Sequence, residues 1–487
     1  MSLLSRSLTD RGKVVLINPN QMKPPVSPIA LDYLAHALKE SKYEVDVLDL
    51  CFSTEIYKDI GEYFAHNEVI AIGFSIRNTD DVYLASQDFF LPKYKDMVNL
   101  IGMHTDAPVI LGGAGFSVMP EAILDYFNLD FGIWGEGELA FPVLLNHTIT
   151  DQNYRNVPGL VLRFPGGHFS NSPKYYDLNR ITTPTRQYID NKRYFNEGGM
   201  VGIETKRGCP KNCIYCADPV GKGKKQRLRS PQSIVQEIKS LLDMGIDHFH
   251  LCDSEFNIPD QHAHQVCNEI VQQGLGDKIR WYTYAYPAGF SPELAALCRK
   301  AGCAGINFGV DSGCDRMLRR LGRDFTVANL EATANVCRQE GIVFMYDLLL
   351  GGPGETRQSL KETIETMKRI SPDRVGISLG VRIHENTKLA QYIRKQGLLQ
   401  ENANLHGTIE ANESLMAPIF YLSSLLGYDV PQYVSQLIDS DERFFYVSRE
   451  DANKNYNYNE NEILVNAIKE GYRGAFWDIL RRIHDEK

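Results

Sequence analysis

Cys209, Cys213 and Cys216, in the stretch "RGCPKNCIYCADP", stand at CxxxCxxC spacing with no fourth cysteine nearby. Thiolates are soft ligands that suit zinc, copper(I) and iron–sulfur clusters. Closed structural zinc sites and most iron–sulfur clusters take four protein ligands. Three thiolates on one loop hold three corners of a 4Fe–4S cube and leave the fourth iron open, as a catalytic zinc keeps an open position. An open iron takes a small chelating ligand. A zinc knuckle borrowing a distant fourth ligand fits less well, because zinc sites are usually built from CxxC pairs. Cys51, Cys267, Cys298, Cys303, Cys314 and Cys337 are scattered singly and read as small buried apolar residues, not as a disulfide framework.

The trio needs a scaffold, and the flanking sequence describes one. From residue 196 apolar runs "MVGIET", "HFHLCD", "IRWYTYA", "GINFGV", "FMYDLLLGG" and "RVGISLG" alternate with helical stretches. Six βα units predict a partial (β/α)6 barrel over 196–396, with the cysteines just after its first strand. That is the carboxyl end, where such folds hold their ligands. Ser230-Pro231 reads as the N-cap and first position of the helix "SPQSIVQEIKSLLDMG".

Residues 1–150 form another α/β series, with strands in "KVVLINPN", "YEVDVLDL", "VIAIGFSIRN", "APVILGGAG" and "LDFGIWGEGE". Strands apolar on both faces belong to a parallel sheet covered by helices, so a Rossmann-like domain is expected. No GxGxxG follows the first strand, which removes a dinucleotide site. Residues 151–195 lack periodicity and read as a linker or strap. Residues 397–487, rich in Tyr, Phe and Asn, read as a mostly helical C-terminal domain. His36, His66 and His104 fall on helices or their ends and are expected to face solvent. His248 and His250 alternate with apolar residues along the second barrel strand, so they could point into the barrel, and packing is the expected role. "GKGKKQRLR" (221–229) reads as a solvated loop.

The bulk numbers set outer limits. With 487 residues, 43% hydrophobic and 23% charged, the chain is globular and has more than one domain. A net charge of −9 argues against nucleic acid as a partner. No run of about 18 uncharged apolar residues predicts a membrane span, and "MSLLSRSLTDRGK" is too polar for a leader, so a cytoplasmic location is expected.

The CxxxCxxC motif with an aromatic before its last cysteine, here Tyr215, resembles the radical S-adenosylmethionine (SAM) superfamily. In that family the open iron chelates the amino and carboxylate groups of SAM. The resemblance implies SAM-binding roles at further strand ends: Glu255 in "LCDSEFN" for the amino group, and Asp311 in "GVDSGCDRML" for the ribose, one methylene shorter than the family's usual Glu. It also implies Gly352 and Pro353 in "LLLGGPGET" beside the adenine, and Arg382 in "LGVRIHENTKL" for the SAM carboxylate. His384 and Asn386 depart from the family's pattern there.

A Rossmann-like domain before such a barrel resembles the cobalamin-binding class of radical SAM enzymes. "LINPN", "IGFSIRNTDD" and "GGAGFSVMPEAILDYFNLDFGIWGEGE" carry the likeness, which covers residues 13–395. It implies cobalamin contacts at Asn18, Ser75, Arg77, Gly112, Gly113, Gly135 and Glu136. No DxHxxG occurs in residues 1–150, so no histidine from that motif ligates cobalt from below. Arg77 is the residue expected to cover that face, with a loop salt bridge as the plain alternative.

The cofactors implied are a 4Fe–4S cluster, SAM and cobalamin. The function implied is methyl transfer to an unactivated carbon of a natural-product, lipid or peptide-like substrate. In the family's scheme a 5′-deoxyadenosyl radical opens the substrate carbon and methylcobalamin supplies the methyl. A flavodoxin- or ferredoxin-type electron donor is the implied protein partner. A cyclase or rearrangement enzyme would carry the same motifs. A transfer-RNA methylthiotransferase is the poorer match, since residues 1–150 hold Cys51 and no second cluster trio.

Overall fold

The computed structural model describes residues 12–150, 153–180, 183–446 and 461–486. Residues 1–11 and most of the stretch "NKNYNYNENE" lie outside the described residues.

Five parallel strands open the N-terminal domain: Lys13–Asn18, Glu44–Asp49, Ala71–Ser75, Val109–Gly112 and Phe131–Ile133. Successive side chains of a strand point to opposite faces, and both faces here are apolar. Val15 and Ile17 enter one core cluster while Val14 and Leu16 enter the other. A sheet covered on both sides follows, and the carboxyl ends of its strands are left to form a site.

The sheet runs further than residue 150. Leu160–Phe164 and Gly167–Ser170 add two antiparallel strands at its edge, drawn from the segment expected to be an irregular strap. The Pro and Gly content of "RFPGGHFS" belongs to a hairpin turn, with Gly166 and Gly167 both at positive φ. His36 also differs from expectation: it is buried, whereas His66 and His104 are exposed.

The second sheet is wholly parallel. Its order runs Val201–Ile203, His248–Leu251, Arg280–Ala285, Cys303–Asp311, Phe344–Leu350, Arg374–Leu379. Ser230 caps its first helix, Pro231–Asp243, accepting from the Ser233 N–H at 3.2 Å. A seventh strand, Phe444–Tyr446, pairs in parallel with the sixth. It comes from the C-terminal stretch and extends the six strands expected. The same stretch contributes Leu405–Gly407 and Ile419–Tyr421 to a small antiparallel sheet with Val381–Arg382.

The helix Phe476–Asp485 lies against the amino end of the barrel. Trp477 meets Tyr282 edge-on at 6.2 Å, and its ring occupies the space over Gly305. The helix therefore covers the amino end of the barrel, opposite the end that carries the cysteines.

Arg186, on the strap, joins the two domains. Its guanidinium, fully buried, donates to Asp32 at 2.8 Å on the N-terminal helix Ile29–Glu40 and to Glu237 at 2.7 Å on Pro231–Asp243. It also reaches the Gly202 carbonyl at 2.9 Å. Removing one partner of a buried ion pair leaves charge uncompensated. Arg186→Met is expected to lower stability by roughly 3–5 kcal/mol, measured by urea unfolding of anaerobically purified protein.

Candidate active site

The cysteine loop is held at both ends. Gly208 sits at φ +93°, and a Cβ there would lie 2.3 Å from the Lys225 carbonyl, so only glycine allows the hairpin to close. The Cys209 N–H donates to the Gly223 carbonyl at 3.1 Å, the Ile214 N–H to Leu321 at 3.0 Å, and the Leu389 N–H to Ile214 at 2.8 Å. Burial pushes all three thiols upward, Cys213 to about 11. Such thiols ionise only when a metal supplies the positive charge. Among the described residues no three His, Cys, Asp or Glu side chains converge closely enough to grip one metal ion. Three thiols on one loop with no fourth cysteine beside them suit a cube with one iron left open.

Beside the loop stands a buried cluster of polar groups. The Tyr215 hydroxyl donates to Asp311 Oδ2 at 2.6 Å, and Arg323 Nε donates to the same oxygen at 2.6 Å. Arg323 Nη2 reaches Asp311 Oδ1 and the Tyr215 hydroxyl, both at 3.1 Å. Asp311 adopts a left-handed φ of 61° at the end of its strand, which turns its carboxylate to these donors. Arg323 was not foreseen; no sequence pattern marks it, and only the turn after Asp311 brings it back.

Glu255 lies 3.9 Å from Arg323. Burial pushes its carboxyl up to about 7 against the pull of that arginine. Its neighbour Asp253 is occupied by the Thr205 and Lys206 N–H groups, the Thr205 hydroxyl and Lys206 Nζ. Gly352 and Pro353 sit in a loop closed by Glu355, whose carboxylate accepts the Gly351 N–H.

Arg382 is elsewhere than expected. Its Nε and Nη2 donate to Asp80 Oδ2 at 3.0 and 2.8 Å, and the remaining N–H groups go to the carbonyls of Ile383, Leu415, Met416 and Ile419. With every donor engaged it ties the barrel to the N-terminal domain and has none left for a SAM carboxylate.

A cavity of about 370 Å³ opens at the carboxyl ends of the N-terminal strands. Ser75, Arg77, Gly112, Gly113, Gly135 and Glu136 line it, so the structure brings these six together around one cavity. Asn18 does not line it: its amide donates to Asp49 at 2.8 Å and to the Tyr194 hydroxyl at 3.1 Å, which fixes the loop below. Gly113, at φ +101°, would drive a Cβ to 2.6 Å from the Ile76 carbonyl. Gly112 leaves open space, its nearest neighbour 3.9 Å away.

Among the described residues, two buried polar atoms on the lining have no partner, the acceptor Glu136 Oε2 and the ring nitrogen His384 Nδ1. Burial lowers the His384 pKa, so its ring is neutral. Cobalamin carries a rim of amide N–H donors, so glycine walls with an orphaned acceptor fit it. Arg77 is exposed within this enclosed space and, among the described residues, makes no hydrogen bond or ion pair. Burial lowers its pKa.

The far wall comes from the barrel. Ala217, Asp218, Gly221 and Lys222 line it, and they follow Cys216 directly. Arg207, just before the cysteines, binds Glu138 at 2.6 Å, Glu204 at 2.8 Å and Glu136 at 3.6 Å. Glu136 pairs also with Arg227. Neither Arg207, Lys222 nor His384 was foreseen as part of this cavity, because each reaches it from the other domain.

Comparison with known proteins agrees with this geometry. Residues 17–145 match the family model for a B12 binding domain, and 203–367 match that of the radical SAM superfamily. The chain is 30% identical to the tryptophan 2-C-methyltransferase of Streptomyces laurentii over 96% of its own length and 95% of that protein. The radical SAM methyltransferase TsrM from Kitasatospora setae, solved with tryptophan and the SAM analogue aza-SAM, superposes with a TM-score of 0.89 at 29% identity. That match covers 97% of this chain and 99% of that one. A further relative, the cytidylyl-2-hydroxyethylphosphonate methyltransferase of Streptomyces wedmorensis, is 25% identical over 72% of this chain and 75% of its own. This chain belongs to the cobalamin-dependent radical SAM methyltransferases.

As a member of that family it is an enzyme that transfers a methyl group to carbon, using a 4Fe–4S cluster, SAM and cobalamin. Among the described residues no helix is long and apolar enough to cross a membrane. The two cofactor sites should be separable by mutation. Gly113→Ala is expected to reduce retained cobalamin at least about tenfold, since a strained φ costs on the order of 1–3 kcal/mol, while iron and sulfide stay bound. Cys213→Ala should do the reverse. Iron, sulfide and cobalamin assays on the two purified variants check both.

Proposed function

We propose that this methyltransferase acts on a carbon of a small aromatic amino acid, with tryptophan the first candidate. The observation that carries the reading is the shared wall: Ala217, Asp218, Gly221 and Lys222, on the segment that follows Cys216, line the cavity of the N-terminal domain. Whatever binds at the cysteines therefore faces whatever binds in the N-terminal domain, and a substrate between them meets both. The full-length likeness to a tryptophan methyltransferase supports the choice of substrate. When bound, cobalamin supplies a cobalt that takes up and delivers a methyl group, and the cluster supplies an iron open to SAM.

The chain's own residues have assigned parts in this reading. Cys209, Cys213 and Cys216 hold the cluster. Tyr215 and Asp311, fixed by Arg323, set the SAM side, and Glu255 holds a proton near neutral pH beside them. Arg77 would face bound cobalamin with a cation that offers no electron pair to the metal. Ser75, Gly112, Gly113, Gly135 and Glu136 cradle the corrin, and Gly352 and Pro353 border the adenine. An electron-donor protein of flavodoxin or ferredoxin type, a cytoplasmic setting and no nucleic-acid partner complete the reading.

The test is anaerobic reconstitution with iron, sulfide, cobalamin and reductant, followed by SAM and tryptophan. S-adenosylhomocysteine together with a carbon-methylated tryptophan is expected by mass spectrometry. Loaded enzyme that leaves tryptophan unmethylated while methylating a non-aromatic compound would overturn the substrate assignment.

A further inference from the structure

One set of polar side chains holds neither the cysteine loop nor the cobalamin cavity: His250, Tyr284, Asn307 and Asp347. All four face the barrel axis. Tyr284 lies two residues beyond Tyr282 and Asp347 two beyond Met345, and Tyr282 and Met345 pack on Trp477 at the amino end. Register pairs Tyr284 with Asn307, and sets Asp347 between Gly309 and Gly376 on the flanking strands. Neither flanking glycine carries a side chain, and Arg323 Nη2 lies 3.2 Å from where a Cβ on Gly309 would be.

Tyr284 reports the same space. Its side chain is 42% exposed although its strand is central, and burial pushes its phenol above the ordinary range. A ring this exposed on an inner strand of the barrel faces an internal lumen. His250 stands edge-on to it, centroids 5.6 Å apart, and burial pushes its imidazole down to about 4, so it is neutral.

Asp347 is the group in this lumen without a complement. Asn307 Nδ2 donates to its Oδ2 at 3.2 Å, and Asn307 is itself fixed from below by Trp477 Nε1 at 2.7 Å. Oδ1 is buried with no partner. Burial pushes this carboxyl up to about 6, and among the described residues no cation pairs with it. A buried carboxylate is costly unless a cation or donor meets it. The lumen also lies between the two halves of the site: the charge of Asp311 acts on Asp347, and that of Arg77 on His250.

We propose that this lumen seats the substrate, with Asp347 accepting the substrate's protonated amine and Tyr284 and His250 flanking its ring. The inference rests on the methyl-transfer reading above and names its substrate class: an ammonium carried on an aromatic frame, not a neutral lipid or a phosphate ester.

The experiment compares tryptamine with 3-(2-hydroxyethyl)indole, matched in shape and differing in the ammonium, by equilibrium dialysis against cobalamin- and cluster-loaded enzyme. Wild type is expected to bind tryptamine at least about tenfold more tightly, the scale of one charge-assisted hydrogen bond. Asp347→Asn should cut that preference below about threefold, with the alcohol's affinity as internal control, and Asp347→Glu should restore part of it. Equal binding of the pair by wild type, or an undiminished preference in Asp347→Asn, overturns the proposal. Should the asparagine variant fail to load its cofactors, the wild-type pair alone decides. Wild type that prefers the ammonium yet leaves tryptophan unmethylated sinks the tryptophan assignment and leaves the anchor standing.

Discussion

The guanidinium of Arg207 is the interaction on which the rest of the structure depends. It sits immediately before the cysteine loop and is almost wholly buried, with side-chain exposure of 10%. Burial opposes its charge, but Glu138, Glu204 and Glu136 outweigh that and hold its pKa above the ordinary arginine range. Two of those carboxylates belong to the cobalamin domain and one to the barrel. A rigid five-donor fork suits such a junction, where a lysine would make one contact at a time. Through it the cluster loop and the cobalamin cavity are set at one distance, which methyl transfer between bound groups needs.

Other buried charges support the same alignment. Arg186 ties the strap to both domains, and Arg382 pins the sixth-strand loop to Asp80. These pairs are expensive to bury and make sense as devices of geometry, not of net stability. They contrast with two other charged groups: Arg186 and Arg382 are paired, whereas Arg77 and the buried Oδ1 of Asp347 have no partner among the described residues.

The cysteine trio, the strands that carry it and the glycine walls of the cavity were legible in the sequence, because each leaves a local pattern. Apolar alternation marked Lys13–Asn18 through Arg374–Leu379, and spacing alone marked Cys209, Cys213 and Cys216. What was not legible depends on long-range pairing. Arg382 has the right residue type at the right strand end, yet Asp80, far away in sequence, takes its charge. Arg323, Arg207 and His384 reach their sites only once the domains are packed. The strap read as irregular because its hairpin glycines resemble a linker, and the strand Phe444–Tyr446 read as part of the C-terminal domain because nothing local shows that it pairs with Arg374–Leu379.

The central claim is that Arg207 fixes one cofactor site relative to the other. Pulsed dipolar EPR between cobalt(II) and the reduced cluster, in protein loaded with both, measures this directly. A single narrow distance distribution is predicted for wild type, and a clearly broadened one for Arg207→Met with both cofactors still bound. An identical narrow distribution in the variant would contradict the account.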